Sequence, residues 1–337
     1  MKIGKVPESI LKRSILKQIH TKRKEVLIGA DVGEDCAILA FEDGEAVALS
    51  TDPITGTVQD IGRLAVQITA NDLASAGAEP VAVMISALFP ESITEQEIRQ
   101  IMQQAEETCA GLHMQLCGGH TEVTRAVNQP VLTATGIGKG KKAELMRTGG
   151  ADPGQDVVVS KWIGLEGTSI LAKEKEALLL QRFPAYLVEE AKGFDRFLSV
   201  IPEAATAIKS GVRAMHDVTE GGIFGALWEL AESAGVGLEI DLKKIPVRQE
   251  TIEICNFLDI NPYELISSGA MLMTADNGHD LVRALEREGI PAAVIGKVTD
   301  NNDRVVINDD ERRFLEPPKA DALYEALAGR EEKPGIL

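Results

Sequence analysis

Four aspartates stand at the ends of predicted strands or helices, and their side chains are the ones in this chain best suited to bind a metal ion. They are Asp35, Asp52, Asp72 and Asp217, and each precedes or interrupts an apolar run. Because apolar runs form the core, we expect the fold to carry these carboxylates to its edge. Clustered carboxylates repel one another unless a cation joins them, and oxygen ligands suit Mg²⁺. Since substrate phosphates commonly complete the shell of such an ion, the pattern predicts an enzyme that uses a nucleotide.

The three aspartates in the first half of the chain also have structural interpretations. Asp35 lies in an acidic turn before a strand, and Asp52 closes a strand before a proline, which leaves its carboxylate at a sheet edge. Asp72 continues a helical stripe of apolar residues, where an uncompensated charge is costly. Alternatively, the helix ends near Ala70 and Asp72 caps the next turn. Taken together with the neighbouring Asn71, the three favour metal binding.

The segment His216–Gly222, with the sequence HDVTEGG, is the strongest single motif. A strand is predicted to end at Met215 and a helix to begin near Gly222, with Thr219 as its cap. Free amides at a helix start bind anions, so the segment predicts a phosphate site beside a metal ligand, Asp217. The alternative, a capped turn between strand and helix, explains neither the paired glycines nor the His-Asp pair.

A second segment, Gly118–Glu122 (GGHTE), follows a short buried strand that is predicted to end at Cys117. Its two glycines allow a ligand to approach the backbone, and its His, Thr and Glu side chains can contact phosphate or metal. His120 is therefore a candidate catalytic residue. The alternative is a tight turn with a hydrogen-bonded histidine.

The elements that position these residues fall into two halves. In the first half, apolar periodicity predicts strands at 26–28, 36–41, 46–51, 81–88, 114–117 and 131–137, with helices at 61–68 and 98–109. Residues 42–45 are predicted to form the hairpin turn between the second and third strands. This order predicts an α+β sheet with its helices on one face.

A polar, glycine-rich stretch at residues 138–156 separates the halves, and we place the domain boundary near Gly149–Asp152. The second half is predicted to contain strands at 157–160, 212–215, 237–240, 271–274, 293–298 and 304–307, with helices that include 222–234, 249–258 and 279–288. We therefore expect a basic N-terminal arm or helix at residues 1–24, an N-terminal domain at 25–150 and a C-terminal domain at 151–330.

Composition excludes some classes of function. The chain has 337 residues, 44% of them hydrophobic, and a formal net charge of −17, which argues against binding nucleic acid. Residues 1–24 are basic by contrast, and form either a surface amphipathic helix or a mobile arm that folds over phosphates or onto an acidic partner. The four cysteines lack metal-finger spacing, and no apolar run predicts a signal peptide or membrane span. We expect a cytoplasmic protein with reduced thiols and no membrane partner.

In order along the chain, six segments resemble the AIR synthase (PurM-like) superfamily: GEDCAIL, STDP, IGRLAVQITANDLASAGAEP, GGHTEV, ADPGQDVVVS and HDVTEGGIFGALWELAESAGVGLEID. The resemblance extends from about residue 25 to 310 and is strongest to hydrogenase expression/formation proteins of the HypE type. It implies an α+β, two-domain PurM-like fold. The N-terminal α+β domain would dimerise through its sheet into a barrel-like interface, and the C-terminal domain would be α/β.

The resemblance also implies ATP and Mg²⁺, used to phosphorylate an amide-type, carbonyl-type or phosphate oxygen. By motif position, the implied metal ligands are Asp35, Asp52, Asp72 and Asp217, and the implied nucleotide contacts are Asn71, Gly118, Gly119, Thr121, Gly221 and Gly222. Thr219, at the predicted helix start, joins the nucleotide contacts. Asp217 and His120 are the candidate catalytic residues.

The sequence departs from HypE proteins in three places. HypE proteins typically end in a cysteine that carries a carbamoyl group, whereas this sequence ends in Lys333–Leu337 without a thiol. It has GHTEV at 119–123 where HypE usually has GDTKV, and Ser267–Ser268–Gly269 where HypE tends to have Asn-Glu-Gly. These losses predict that ATP is used on another acceptor.

We therefore expect a homodimeric, ATP- and Mg²⁺-dependent enzyme whose acceptor is an unidentified small molecule or protein-borne group. One alternative is a small-molecule kinase like thiamine-monophosphate kinase, although the Gly-Asp-Asp and GGDT elements of that enzyme are here Gly33–Glu34–Asp35 and GGHT. Another alternative is a non-catalytic, nucleotide-binding scaffold for hydrogenase maturation.

Overall fold

The computed structural model of the chain describes residues 4–5, 8–30, 37–55, 60–317 and 320–328. The chain divides into two compact units, Met1–Leu145 and Met146–Leu337. Asp35, one of the predicted metal ligands, lies outside the described residues. None of the helices in the described ranges has the length and apolar character needed to cross a membrane.

The first unit contains seven strands and three α-helices among its described residues. Its strands are β1 (Gly4–Lys5), β2 (Val26–Ile28), β3 (Ile38–Leu39), β4 (Glu45–Ile54), β5 (Glu79–Phe89), β6 (Gln115–Val123) and β7 (Val131–Lys141). Its helices are α1 (Glu8–Ile10), α2 (Ile61–Ser75) and α3 (Glu95–Gly111). A π-helical turn at Leu11–Ile15 and a 3₁₀ turn at Leu16–Gln18 continue α1.

The main sheet of the first unit has its helices on one face, as the sequence predicted. Its strands pair in the order β1-β6-β5-β7-β4, antiparallel except for the parallel pair β5 and β6. Helix α2 contacts β4, β5 and β7, and α3 contacts β6. Side chains alternate between the two faces of a strand, so Ser50 and Asp52 of β4 are half-buried while Val47 and Leu49 are 47% and 69% exposed.

The predicted turn at 42–45 forms, but the predicted hairpin does not. The amide of Glu45 donates to the carbonyl of Glu42 at 3.2 Å. Strand β3 then pairs with β2 in a separate two-stranded sheet, whereas β4 pairs along its whole length with β7. The small sheet covers an apolar part of the large one, where Val26 and Leu39 pack against Cys117. Tertiary packing therefore selects the strand partners, and the turn residues at 42–45 do not encode this pairing.

The described part of the basic N-terminal segment lies against α3. Arg13 pairs with Glu95 at 2.5 Å, and this contact, together with a hydrogen bond from Ser14, lowers the pKa of Glu95 to about 2. The amide and hydroxyl of Thr21 donate to Glu106 Oε1 at 2.5 and 2.6 Å. These contacts place the described part of the segment against α3, and its folding over phosphates or onto an acidic partner stays a prediction.

The second unit contains seven strands and eight α-helices within its described residues. Its strands are β8 (Asp156–Ser160), β9 (Val212–Asp217), β10 (Gly237–Asp241), β11 (Met271–Ala275), β12 (Ala292–Thr299), β13 (Arg304–Asn308) and β14 (Glu311–Phe314). Its helices are α4 (Leu165–Glu174), α5 (Glu176–Leu179), α6 (Ala185–Lys192), α7 (Ile201–Lys209), α8 (Gly222–Ala234), α9 (Gln249–Leu258), α10 (Gly278–Arg287) and α11 (Ala322–Ala328).

The sheet of the second unit is mixed and mostly antiparallel. Its order is β14-β13-β10-β12-β8-β11-β9, and the only parallel pair among these strands is β10 with β13. The resemblance implied an α/β domain for this half of the chain. Neighbouring strands here are mostly antiparallel, so the sheet has the pairing of an α+β domain.

Candidate functional site

Two of the predicted metal ligands, Asp52 and Asp72, meet at the hydroxyl group of Ser50. The Oγ of Ser50 lies 3.2 Å from Asp52 Oδ2 and 2.5 Å from Asp72 Oδ2. Ser50 and Asp52 are on the face of β4 that packs against α2, and α2 carries Asp72. The strand period and the position of the helix therefore bring both carboxylates to one hydroxyl.

Asp72 is inside a helix, so the alternative that it caps a turn after Ala70 is wrong. Helix α2 continues to Ser75, and Asp72 is half-buried there. Its neighbour Asn71 is fully buried and accepts a hydrogen bond from the side-chain amide of Gln67 at 3.0 Å. Helical periodicity thus turns Asn71 into the core and leaves Asp72 at the rim, towards β4.

The segment Gly118–Glu122 lies within β6, so the strand does not end at Cys117 as predicted, and the alternative of a tight turn does not form either. Strand β6 continues to Val123 and pairs with β5, with a register shift beside Gly118. Gly119 has φ +145°, and a Cβ atom there would lie 2.0 Å from the carbonyl oxygen of Ile85. The glycine is therefore required by close backbone contact within the sheet.

His120 and Glu122 project from the same face of β6 and contact each other. His120 Nε2 lies 3.1 Å from Glu122 Oε2, and both side chains are substantially exposed. The histidine is thus hydrogen-bonded, as the alternative had it, although in a strand and not in a turn. Thr121, between them, points to the opposite face of the strand and is half-buried.

In the second unit, Asp217 is the last residue of β9 and is 5% exposed. The chain then leaves the sheet, with the amide of Val218 donating to the carbonyl of Ala270 at 3.0 Å. The preceding residue, His216, bonds through Nε2 to Glu229 of α8 at 2.9 Å. The end of β9 is thereby fixed against the helix that follows it.

The two glycines that follow have a structural requirement. Gly221 and Gly222 have φ values of +80° and +62°, in the left-handed region that favours glycine. A Cβ atom on Gly222 would lie 2.5 Å from the carbonyl oxygen of Tyr263. Both glycines are thus needed for the sharp entry into α8.

The start of α8 differs from the predicted free anion site. The N-cap residue is Gly221 and not Thr219, and no side chain caps the helix locally; the carbonyl of Thr219 accepts from the amide of Gly222 at 3.1 Å. The amide of Gly221 donates to Asp321 Oδ2 at 2.8 Å. At least the Gly221 amide is therefore already used by an internal carboxylate.

The oxygen atoms around Ser50 fit a hard cation better than any other ligand class. Two carboxylates and one hydroxyl offer only oxygen ligands, which Mg²⁺ prefers. In the part of the chain that the structure describes, no three His, Cys, Asp or Glu side chains gather closely enough to bind a metal ion by themselves. Asp52 and Asp72 would therefore need further ligands, such as phosphate oxygens or water.

Three residues that matter to these arrangements escaped the sequence analysis. Ser50 is two residues before Asp52, so strand alternation places it on the same face and gives a usable signal. Glu229 has a weaker signal, because an acidic residue on α8 can pair with His216 in many ways. Asp321 has almost none, because its partner Gly221 is far away along the chain.

Comparison with known proteins agrees with this architecture. The family model for the AIR synthase related protein, N-terminal domain, matches residues 33–139, and the model for the C-terminal domain matches residues 152–308. The chain is 29% identical over 330 residues to a putative hydrogenase expression/formation protein of Methanocaldococcus jannaschii, covering 95% of this chain and 96% of that protein. It is 28% identical over 267 residues to the carbamoyl dehydratase HypE of Rhodobacter capsulatus, covering 76% of each.

Solved structures show the same fold. The hydrogenase maturation protein HypE in complex with ATP superposes with a TM-score of 0.79 at 20% identity, covering 95% of this chain and 97% of that one. The thiamine-monophosphate kinase of Stenotrophomonas maltophilia superposes with a TM-score of 0.69 at 20% identity, covering 86% and 93%. The predicted two-domain PurM-like α+β fold is confirmed.

Proposed function

Because the chain belongs to the AIR synthase related protein family, we propose that it is an ATP- and Mg²⁺-dependent enzyme that transfers the γ-phosphoryl group to an oxygen atom of an acceptor. The observation that carries this proposal is the pair of carboxylates, Asp52 and Asp72, joined by Ser50. The structural likeness to a HypE protein that binds ATP supports the choice of nucleotide.

The acidic side chains supply the cation sites in this proposal. Asp52 and Asp72 would bind Mg²⁺ in the first unit, and Asp35 and Asp217 are the other two predicted ligands. When bound, the cation neutralises charge on the phosphates during transfer. Ser50 holds its two carboxylates close together before any cation arrives, which lowers the cost of ordering them on binding.

His120 is the candidate group for handling a proton. Donation from Nε2 to Glu122 leaves the lone pair of Nδ1 available. In this proposal the oxygen of the phosphoryl acceptor attacks the γ-phosphorus, and the bond between that phosphorus and the bridging oxygen of ADP breaks. The proton of the attacking oxygen passes to Nδ1 of His120. Glu122 would orient the ring and stabilise its protonated form.

The acceptor differs from that of carbamoyl dehydratases in this proposal. At the position where HypE proteins tend to have Asn-Glu-Gly, the hydroxyl of Ser267 donates to the carbonyl of Leu265 and accepts from the amide of Gly164, both at 2.7 Å. Ser267 and Ser268 are also buried, at 0% and 1% exposure. Neither side chain offers the carboxylate that the HypE pattern would supply.

We also propose a homodimer formed through the sheet of the first unit. The face of β4 that points away from α2 exposes Val47 and Leu49, and Leu27 and Ile28 of β2 are 64% and 39% exposed. Exposed apolar side chains such as Val47 and Leu49, two residues apart on one face of β4, favour a protein partner.

ADP release tests the enzymatic proposal. Purified protein is incubated with ATP, Mg²⁺ and a panel of small amides, carboxamides and phosphate esters, with an EDTA-treated sample as the control. We expect Mg²⁺-dependent ADP formation that rises with one acceptor class. Absence of Mg²⁺-dependent ATP binding would contradict the proposal, and binding without ADP formation for any acceptor would support the non-catalytic scaffold instead.

A further inference from the structure

Asp321 is a buried carboxylate between β14 and α11, and its side chain joins three segments of the second unit. The residue is 3% exposed. Its Oδ2 accepts a hydrogen bond from the amide of Gly221 at 2.8 Å. Its Oδ1 accepts from the amides of Ile266 and Leu323 at 3.1 and 2.8 Å.

The contact with Leu323 alone is an ordinary helix cap. Helix α11 begins at Ala322, and aspartate is a preferred residue immediately before a helix. Ala322, Leu323 and Ala326 are buried in a cluster with residues of α4, α6 and α9, which anchors α11 to the unit. Capping needs only one carboxylate oxygen, however, and does not account for the hydrogen bond that the other oxygen, Oδ2, accepts from Gly221.

A buried charge at this position has a cost that a neutral cap would avoid. Burial raises the pKa of Asp321, and the hydrogen bonds from the backbone amides of Leu323, Gly221 and Ile266 lower it in part. Serine or asparagine would cap α11 without a buried charge. The contact that specifically uses the second carboxylate oxygen is the one with Gly221.

Gly221 belongs to the loop that begins with Asp217. The other side of this loop packs closely on the segment before Ile266, because a Cβ atom on Gly222 would lie 2.8 Å from the carbonyl oxygen of Leu265. Asp321 accepts hydrogen bonds from the amides of both Gly221 and Ile266, and so fixes the loop to the segment that precedes Ile266.

A second contact from α11 reaches the same loop. The hydroxyl of Tyr324 donates to Glu220, the residue before Gly221. Two successive loop residues are thus held by two residues of the segment Asp321–Tyr324, which is itself anchored in the core.

We propose that Asp321 is a positioning residue, which holds the loop from Asp217 to Gly222 in the conformation that binds Mg²⁺ and nucleotide. This inference rests on the proposed function, because that function assigns Asp217 to the cation. Asp321 does not touch the ligand in this proposal; it acts through the amide of Gly221. Groups that orient metal ligands typically contribute about 10- to 100-fold to metal affinity.

Asp321→Asn separates this role from helix capping. The amide oxygen of asparagine can still accept from Ile266 and Leu323, so α11 stays capped, but its NH₂ group faces the amide of Gly221 and cannot accept from it. Asp321→Ser is a second variant that keeps a capping oxygen and adds no opposing donor. Asp241→Asn is the matched control, since Asp241 caps the 3₁₀ helix Leu242–Lys244 by accepting from Lys243.

Two measurements read the outcome in the full-length chain: hydrogen exchange of the amides at 219–224, and ATP binding as a function of Mg²⁺ concentration. We expect faster exchange at Gly221 in both Asp321 variants, with unfolding temperatures close to that of the control. We also expect the Mg²⁺ concentration needed for ATP binding to rise about 10- to 100-fold, with binding restored at excess Mg²⁺.

Unchanged exchange at Gly221 in both variants would overturn the inference. Faster exchange with an unchanged Mg²⁺ requirement would also overturn it, since the contact would then serve stability alone. If the wild-type chain binds no ATP in the presence of Mg²⁺, the proposed function fails and the positioning role fails with it. That result is distinguishable, because it affects the wild type and not only the variants.

Discussion

The carboxylates of Asp52 and Asp72 approach each other across a single hydroxyl group, that of Ser50. The two distances, 3.2 and 2.5 Å, place both acids within hydrogen-bonding range of one donor. A hydroxyl has one hydrogen and can donate to only one of them at a time. The two carboxylates therefore share one hydroxyl donor, and a cation at this position would join them.

Ser50→Ala is expected to destabilise the metal-free protein by about 0.5–1.5 kcal/mol, the usual contribution of one hydrogen bond. Because Ser50 orders the two carboxylates before Mg²⁺ binds, its removal should weaken Mg²⁺ binding, so added Mg²⁺ should raise the Tm of the variant less than that of the wild type. Thr51→Ala is the control, since its hydroxyl contacts Thr135 on the opposite face of β4. Identical Mg²⁺ responses in wild type and Ser50→Ala would contradict a cation at this position.

Asp72→Asn and Asp217→Asn are each expected to weaken ATP binding at a fixed Mg²⁺ concentration by roughly tenfold or more, which corresponds to about 1.4 kcal/mol. Each substitution removes one negative charge from a proposed cation site. Asp43→Asn, in the exposed turn before β4, should leave the affinity unchanged. Isothermal titration calorimetry measures all three, and normal affinity in both site variants would remove these residues from the nucleotide site.

Glu25 makes the stability of the first unit depend on acid pH. Its contacts with Arg23 at 3.0 Å and Lys139 at 2.9 Å lower its pKa from the ordinary 4.5 to about 2. The stabilisation is therefore present above pH 4.5 and is lost as the pH falls towards 2. Its full value, above pH 4.5, is about 2–3 kcal/mol.

Urea unfolding of wild type and Glu25→Gln at pH 6 and pH 3 measures this contribution. The wild type should be more stable than the variant at pH 6, and the difference should shrink at pH 3. Because other acids titrate equally in both proteins, the difference isolates Glu25. A difference that stays constant over this range would show that the charge of Glu25 contributes nothing.

Leu49→Glu is expected to convert the proposed homodimer to a monomer, because it places a charge on the exposed apolar face of β4. Leu49 is 69% exposed, so the substitution should leave the folded chain intact. Leu180→Glu is the matched control, at a leucine in the second unit that is 44% exposed. Light scattering coupled to size-exclusion chromatography gives the mass; a wild-type monomer, or a dimer unaffected by Leu49→Glu, would reject this interface.

The sequence predicted the regular elements well, because their signals are local. Apolar residues at helical spacing located α2, and it begins at Ile61 as expected. The prediction failed where the outcome depends on distant partners. The turn at 42–45 formed without a hairpin, since β4 pairs with β7 and β3 with β2.

The same distinction applies to the candidate site. Asp52 and Asp72 were identified from residue type and position, and the structure brings them together. Thr219 was predicted to cap α8, yet the N-cap residue is Gly221 and its amide donates to Asp321. A contact between residues so far apart in sequence leaves no periodic pattern to detect.

The contact between Asp321 and Gly221 can form only late in synthesis, because Asp321 follows the whole second sheet along the chain. The ribosome completes β9, α8 and every other described strand of the second sheet before Asp321 emerges. Until then the amide of Gly221 has no carboxylate to bind, however well the sheet has already assembled. A nascent chain thus contains every described strand of the second sheet before it contains the residue that holds the loop after Asp217, and we expect binding competence to follow the assembly of that sheet.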